Sequence, residues 1–233
     1  MVLESAGRRL AAVYVSAGED APAFLICHGI GERVEYWGEV QILLKEMGVS
    51  SLVFNYTGFG ASRGQVRVSH CEEDAIAAYT ELKRRGAGAV FLLGFSLGTA
   101  IASAVASQVK ANGLILCEGF TSLYEAAIVA GLPRWFSAMA GDVWHTARRV
   151  GELSVPVLVV HSDGDRLFPV AMAESVVEAC GMRGEKIIVR GLDHNEPIFA
   201  APEGYWRAIV DWTKRRESVA VRAKYRDSSL RSE

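Results

Sequence analysis

The chain has 233 residues, half of them apolar (50%) and 22% charged, with a formal net charge of −2. That length supports one sizeable hydrophobic core and is short for two. The near-neutral charge gives no reason to expect nucleic acid or an anionic membrane surface as the main partner. No stretch approaches the roughly 18 to 20 apolar residues that span a bilayer, and Met1–Arg8 lacks the basic start and apolar block of a secretory signal. The expectation is a cytoplasmic protein that acts on a small molecule, without nucleic acid and without membrane insertion.

The elements follow one another as strand, then helix. Arg9–Ser16 alternates apolar and polar residues and is expected as an antiparallel edge strand. Continuous apolar runs come next at Ala23–Cys27, Ser51–Tyr56, Val90–Gly94, Gly113–Cys117, Val155–His161 and Lys186–Val189. Runs of this kind fit strands buried on both faces. Between them, Tyr36–Met47, Cys71–Arg85, Ser96–Gln108, Val170–Cys180 and Tyr205–Arg216 are long enough for helices with one apolar face. The repeated order implies an α/β fold, a mostly parallel central sheet with helices on both faces. Residues 1–217 are expected as one domain and 218–233 as a polar C-terminal tail. The rhythm breaks at about 119–154, where helix-like pieces form a short insertion over the sheet. Cys27, Cys71, Cys117 and Cys180 are widely spaced with no CxxC pair, so they read as free structural thiols and no metal site is expected.

The chemistry begins at Gly94-Phe95-Ser96-Leu97-Gly98, a G-x-S-x-G pattern with an apolar run before it and a small-residue helix after it. A tight strand-to-helix turn exposes the central serine at the carboxyl edge of the sheet, beside a helix N-terminus that favours negative charge. A serine hydroxyl needs an adjacent base to act as a nucleophile. Of His28, His70, His145, His161 and His194, only His194 lies in a loop after the last strand, where it can overhang that edge. His28 and His161 are expected to support local turns, His70 to start a helix and His145 to sit exposed on the insertion. The acid that would orient the imidazole follows Val155–His161: Asp165, with Asp163 as a close rival. Glu118, after Gly113–Cys117, is a second rival whose plainer role is to satisfy a loop. The glycine-rich turn His28-Gly29-Ile30-Gly31-Glu32 is placed to supply an oxyanion hole from the N–H groups of Ile30 and Leu97. Such a donor contributes roughly 2.7 to 4 kcal/mol to transition-state binding.

With these residues in place, the chain resembles the α/β-hydrolase superfamily up to about Arg216. Within it, the likeness is to small, nearly capless serine hydrolases of the serine-aminopeptidase-like and dienelactone-hydrolase-like groups. His28-Gly29-Ile30-Gly31-Glu32 resembles the HG-x-G-E turn, and Phe54–Gly64 resembles the Y-R-G-x-G-x-S-x-G loop, with Thr57 in place of the arginine. Phe120-Thr121-Ser122-Leu123 resembles the opening of a minimal insertion, and His161–Pro169 resembles H-G-x-x-D-x-x-V-P, with Ser162 in place of the glycine. In that last pattern the later aspartate is the acid, which favours Asp165. The resemblance implies hydrolysis of an ester, thioester or amide with no metal and no cofactor. The expected reaction is cleavage of a small to medium carboxylic ester or thioester through an acyl-enzyme on Ser96. An acyltransferase, a peptidase or a non-enzymatic ligand-binding module on the same scaffold are the alternatives. Trp135, Phe136 and Trp144 on the insertion are expected to form a small apolar lid over the acyl side.

Overall fold

The computed structural model describes residues 1–129, 131–134 and 144–230. Its centre is an eight-stranded sheet in the order β1-β2-β4-β3-β5-β6-β7-β8. The strands are β1 Val2–Ser5, β2 Arg8–Val15, β3 Ala23–Cys27, β4 Ser50–Phe54, β5 Val90–Phe95, β6 Gly113–Cys117, β7 Val157–Ser162 and β8 Gly184–Val189. From β4 to β8 the neighbours pair in parallel, whereas β2 pairs antiparallel with both β1 and β4. Among the described residues the helices are α1 Gly38–Glu46, α2 Val68–Arg84, α3 Leu97–Ala106, α4 Leu123–Val129, α5 Thr146–Glu152, α6 Val170–Cys180, α7 Glu196–Phe199 and α8 Glu203–Leu230. None of them is long and apolar enough to cross a membrane.

Alternate residues of each central strand feed two cores. Leu25, Leu92, Leu114 and Val157 face a layer that contains α2, α3, α5 and α6. Phe24, Phe91, Ile115 and Leu158 face α1 and the first turns of α8, where Trp206 and Trp212 are fully buried. Every residue of β3, β4, β5, β6 and β7 is buried, which explains why these strands read as continuous apolar runs rather than alternating ones.

Two expectations need adjusting. The strand over Arg9–Ser16 is antiparallel but not the edge, because β1 lies outside it. The Ala6-Gly7 turn, with φ 46° and 79°, closes a tight hairpin of the kind that requires positive φ at both central residues, and Leu3 then pairs with Leu10. The expected boundary at 217 falls inside α8, which continues to Leu230.

The loop after β4 is locked to the hairpin by a buried acid. Asp74 on α2 accepts hydrogen bonds from Ser5 Oγ (2.6 Å), Arg8 Nη2 (3.1 Å) and the Thr57 N–H (2.7 Å). Arg8 Nε also donates to Thr57 Oγ1 at 3.0 Å, so Thr57 joins this cluster. The Asp74 side chain is fully buried, so removing its carboxylate leaves the Ser5 hydroxyl and the Thr57 N–H without their acceptor, while Arg8 keeps Glu73 Oε2 at 2.6 Å. Asp74→Ala is expected to cost about 3 kcal/mol, read by thermal unfolding as a fall of roughly 6 to 12 °C in Tm. A change under about 2 °C would show that the cluster is energetically slack.

Candidate active site

The sharpest backbone feature lies between β5 and α3. Ser96 has φ 51° and ψ −118°, a region that L-residues occupy only when their surroundings compel it. The compulsion is visible at the flanking glycines. A Cβ on Gly94 would sit 2.4 Å from the Gly98 carbonyl oxygen, and one on Gly98 would sit 1.8 Å from the Cys27 carbonyl oxygen. The chain must therefore turn within a few residues, and it presents the Ser96 hydroxyl at the carboxyl edge of the sheet.

Two further loops converge on that hydroxyl. His194, between β8 and α7, places Nε2 3.0 Å from Ser96 Oγ. Its Nδ1 lies 2.7 Å from Asp165 Oδ2, in the loop after β7. Asp165 is fixed in turn, because its Oδ1 accepts the N–H groups of Leu167 (2.7 Å) and Phe168 (2.9 Å). Burial pushes the Asp165 carboxyl up, but the bonds from His194 and these two amides outweigh it and hold it below its ordinary value. Ser96 and His194 are 6% and 7% exposed, and the rings of Phe95 and Phe168 flank the imidazole at 5.7 and 5.3 Å between centroids. A hydroxyl, an imidazole and an ionised acid thus form one hydrogen-bonded chain in a place with little water. Such a chain can take a proton from the hydroxyl and stabilise the imidazolium that results.

The rival acids are engaged elsewhere. Asp163 Oδ1 accepts the Gly191 N–H at 2.7 Å. Glu118 is fully buried and accepts from the Ser162 N–H and the Tyr205 hydroxyl, both at 3.0 Å. His28 packs on Tyr56 and Phe59, and burial pulls its pKa down to about 4. His161 places Nε2 3.0 Å from the Phe168 carbonyl oxygen and so supports the Asp165 loop. His70 meets the Gln65 carbonyl oxygen, and His145 caps α5 by accepting the Arg148 N–H.

The turn after β3 lies against the serine. A Cβ on Gly29 would be 3.2 Å from Ser96 Cβ, and Gly31 takes φ 74°. Ile30, between these two glycines, is 74% exposed. Leu97 opens α3, where the first N–H groups of a helix have no intrahelical partner. Trp144 is turned onto α2, with Nε1 donating to Glu72 at 3.3 Å and 7% of its surface exposed. That is a packing position. Trp135 and Phe136 lie outside the described residues.

Some of the site was not foreseen. Glu32 is buried beneath the turn after β3, and its Oε2 accepts from Trp37 Nε1 at 2.9 Å. Burial pushes its carboxyl up to about 7, only partly offset by the Gly29 backbone, Trp37 and the nearby His194. Outside the pocket, Asp193 accepts from Arg166 Nε (2.9 Å) and the His194 N–H (2.8 Å), tying the acid and histidine loops together. The bond to Arg166 holds the Asp193 carboxyl well below the usual carboxylate range. Among the described residues, one acid-and-imidazole cluster, Glu118, His161 and Asp165, brings ligand-type atoms within 4.8 Å of one another. Its oxygens are already hydrogen-bonded to His194, Ser162 and Tyr205. These buried acids carry no periodicity, so only the packing of the loops reveals them.

Two measurements follow. Ser96→Gly and Ser96→Ala both lack the hydroxyl, but only glycine relieves the positive φ. The glycine variant is expected to melt roughly 2 to 4 °C above the alanine variant, equivalent to about 1 kcal/mol. Equal Tm values would mean that the turn is unstrained. A carboxyl whose folded-state pKa is raised favours the folded state while it is protonated. The Glu32 contribution is therefore full below its ordinary 4.5 and is lost as pH rises through about 7. Glu32→Gln should match the parent near pH ~4.5 and exceed it in Tm above pH ~7.5. Parallel Tm–pH curves would rule out the raised carboxyl.

Comparison with known proteins shows the family and the fold. Residues 18–148 match the family model described as serine aminopeptidase, S33. An uncharacterized protein of Mycobacterium tuberculosis is 30% identical over 198 residues, covering 82% of this chain and 70% of that protein. The lysophosphatidylserine lipase of Danio rerio is 27% identical over 178 residues, covering 67% of this chain and 47% of that protein. The structure of Est1E from Butyrivibrio proteoclasticus with ferulic acid bound superposes with a TM-score of 0.79 at 17% identity, covering 94% of this chain and 99% of that one. The chain belongs to the serine aminopeptidase S33 family and has the α/β-hydrolase fold.

Proposed function

We propose that the protein is a serine hydrolase that cleaves small to medium carboxylic esters or thioesters through an acyl-enzyme on Ser96. The observation that carries this reading is the continuous chain from Ser96 Oγ to His194 Nε2 (3.0 Å) and from His194 Nδ1 to Asp165 Oδ2 (2.7 Å). Ser96 attacks the acyl carbon as His194 takes its proton. The imidazolium then gives that proton to the leaving alcohol or thiol. Asp165 holds the tautomer that keeps Nε2 free to accept and stabilises the charged ring. The N–H groups of Ile30 and Leu97 receive the oxyanion, and the α3 N-terminus adds its partial positive charge. Water activated by His194 then releases the acid and restores the serine.

The likeness to a lysophosphatidylserine lipase favours ester carbonyls over peptides. The short insertion between β6 and β7 favours modest acyl groups.

A fluorophosphonate probe with peptide mass mapping should label Ser96, and a p-nitrophenyl ester panel should be turned over fastest at short chain lengths. Ser96→Ala should abolish labelling, and His194→Ala and Asp165→Asn should each lower kcat by roughly 10⁴-fold. An aminoacyl p-nitroanilide in the same panel reads peptidase activity separately, and added alcohols read acyl transfer. Folded protein that neither labels nor turns over any ester would overturn the proposal in favour of a binding module. Much faster cleavage of long-chain esters would overturn the acyl-size assignment alone.

A further inference from the structure

Behind Asp165 lies a second buried acid that the reaction sketched above does not use. Glu118 follows β6 with φ 47°, a strained value for a residue with a long side chain, and no part of it reaches solvent. The bend turns its carboxyl under the end of β7. There Oε2 accepts the Ser162 N–H and Oε1 accepts the Tyr205 hydroxyl from α8, each at 3.0 Å. The Glu118 and Asp165 carboxyl oxygens, with a His161 ring nitrogen, lie within 4.8 Å of one another. His161 stands between the two acids, with Nδ1 3.7 Å from Glu118 Oε2 and Nε2 3.7 Å from Asp165 Oδ2.

The hydrogen bonds around this cluster leave one proton to be placed. His161 Nε2 lies 3.0 Å from the Phe168 carbonyl oxygen, an acceptor only, so Nε2 carries the ring proton. His161 Nδ1 is then a bare acceptor, and it is buried with no hydrogen-bond partner. It faces the Glu118 carboxyl on one side, while Asp165 spends its charge on His194 and two backbone amides. A proton on Glu118 supplies a donor to a pocket that otherwise holds two negative oxygens and a lone pair.

We propose that Glu118 is a positioning residue that works as a neutral acid, leaving Asp165 as the one negative charge behind His194. Its proton points toward Asp165 and His161, and its oxygens hold the ends of β6, β7 and α8 together. The titratable groups that face it are Asp165 and His161 on the acid side, Tyr205 from α8, and its own neighbour Cys117. Burial pushes the Glu118 carboxyl up, the Ser162 and Tyr205 bonds pull it partly back, and the Asp165 charge pushes it up further. The inference rests on the triad reading for its consequence but not for its protonation state, and the two are tested apart.

The protonation state is read by infrared difference spectroscopy of the parent minus Glu118→Gln at near-neutral pH. The expected result is a carboxylic-acid carbonyl band. Carboxylate bands alone would overturn the proposal. Should Glu118→Gln fail to fold, Tyr205→Phe serves instead: losing the donor on Oε1 should move the acid carbonyl band to higher frequency, whereas a change confined to carboxylate bands would overturn it. The consequence is read from the pH profile of kcat/KM on an ester. Glutamine mimics the neutral acid, so Glu118→Gln should keep kcat/KM within about threefold and leave the acid limb in place, while Glu118→Ala should lose roughly 10- to 100-fold. An acid limb displaced downward by about one pH unit or more in Glu118→Gln would reveal a deleted negative charge and sink the proposal. A parent that hydrolyses no ester would defeat the triad reading and leave the infrared result to stand alone.

Discussion

The site depends on how closely β3, β5 and α3 approach one another. Gly98 rests on the Cys27 carbonyl with no room for a methyl group, and Gly94 is pressed in the same way against the backbone of Gly98 and Thr99. The helix therefore starts at once on the strand, and Ser96 must accept φ 51°. A strained residue of this kind costs about 1 to 3 kcal/mol. One buried leucine contributes about 1.5 to 3 kcal/mol, and Leu92, Leu93, Ile101 and Val105 of β5 and α3 are all fully buried. The surrounding core can hold the strain with a large margin. The same contact brings the end of β3 to the serine, so the turn containing Gly29 and Ile30 is placed by the packing that shapes the elbow.

Most of the sheet could be read from sequence because strands buried on both faces leave an unmistakable composition. The β5 run into Gly94-Phe95-Ser96-Leu97-Gly98 also showed where the turn falls, since only glycine fits at both flanks. Reading failed where the deciding contact is distant in sequence. β1 is four residues long, and its partner Leu10 becomes evident only once the Ala6-Gly7 turn is closed. Asp163 and Asp165 are two residues apart in a loop, where no periodicity separates them. The structure does so by burial, since the Asp165 side chain is fully enclosed while Asp163 is exposed and serves Gly191. Trp144 shows the opposite failure. An aromatic in an insertion suggests a lid, but spacing says nothing about direction, and the indole is turned to Glu72.

Three acids near the imidazole show how little a residue's identity fixes its charge. Asp165 receives an imidazole N–H and two backbone amides, and these outweigh the cost of burial. Glu32 has fewer donors, and burial prevails. Glu118 receives two hydrogen bonds, but it also faces the charge already settled on Asp165. Two full negative charges no more than 4.8 Å apart would repel by at least about 3 kcal/mol even at an effective dielectric near 20. That is comparable to what a charge-assisted hydrogen bond contributes, roughly 1.5 to 3 kcal/mol, so the donors on Glu118 cannot ionise both groups at little cost. Charging the acid with more hydrogen-bond donors and leaving its neighbour neutral is the lower-energy arrangement. It also sets a single negative charge in line with Nδ1 of His194, where an imidazolium would need it.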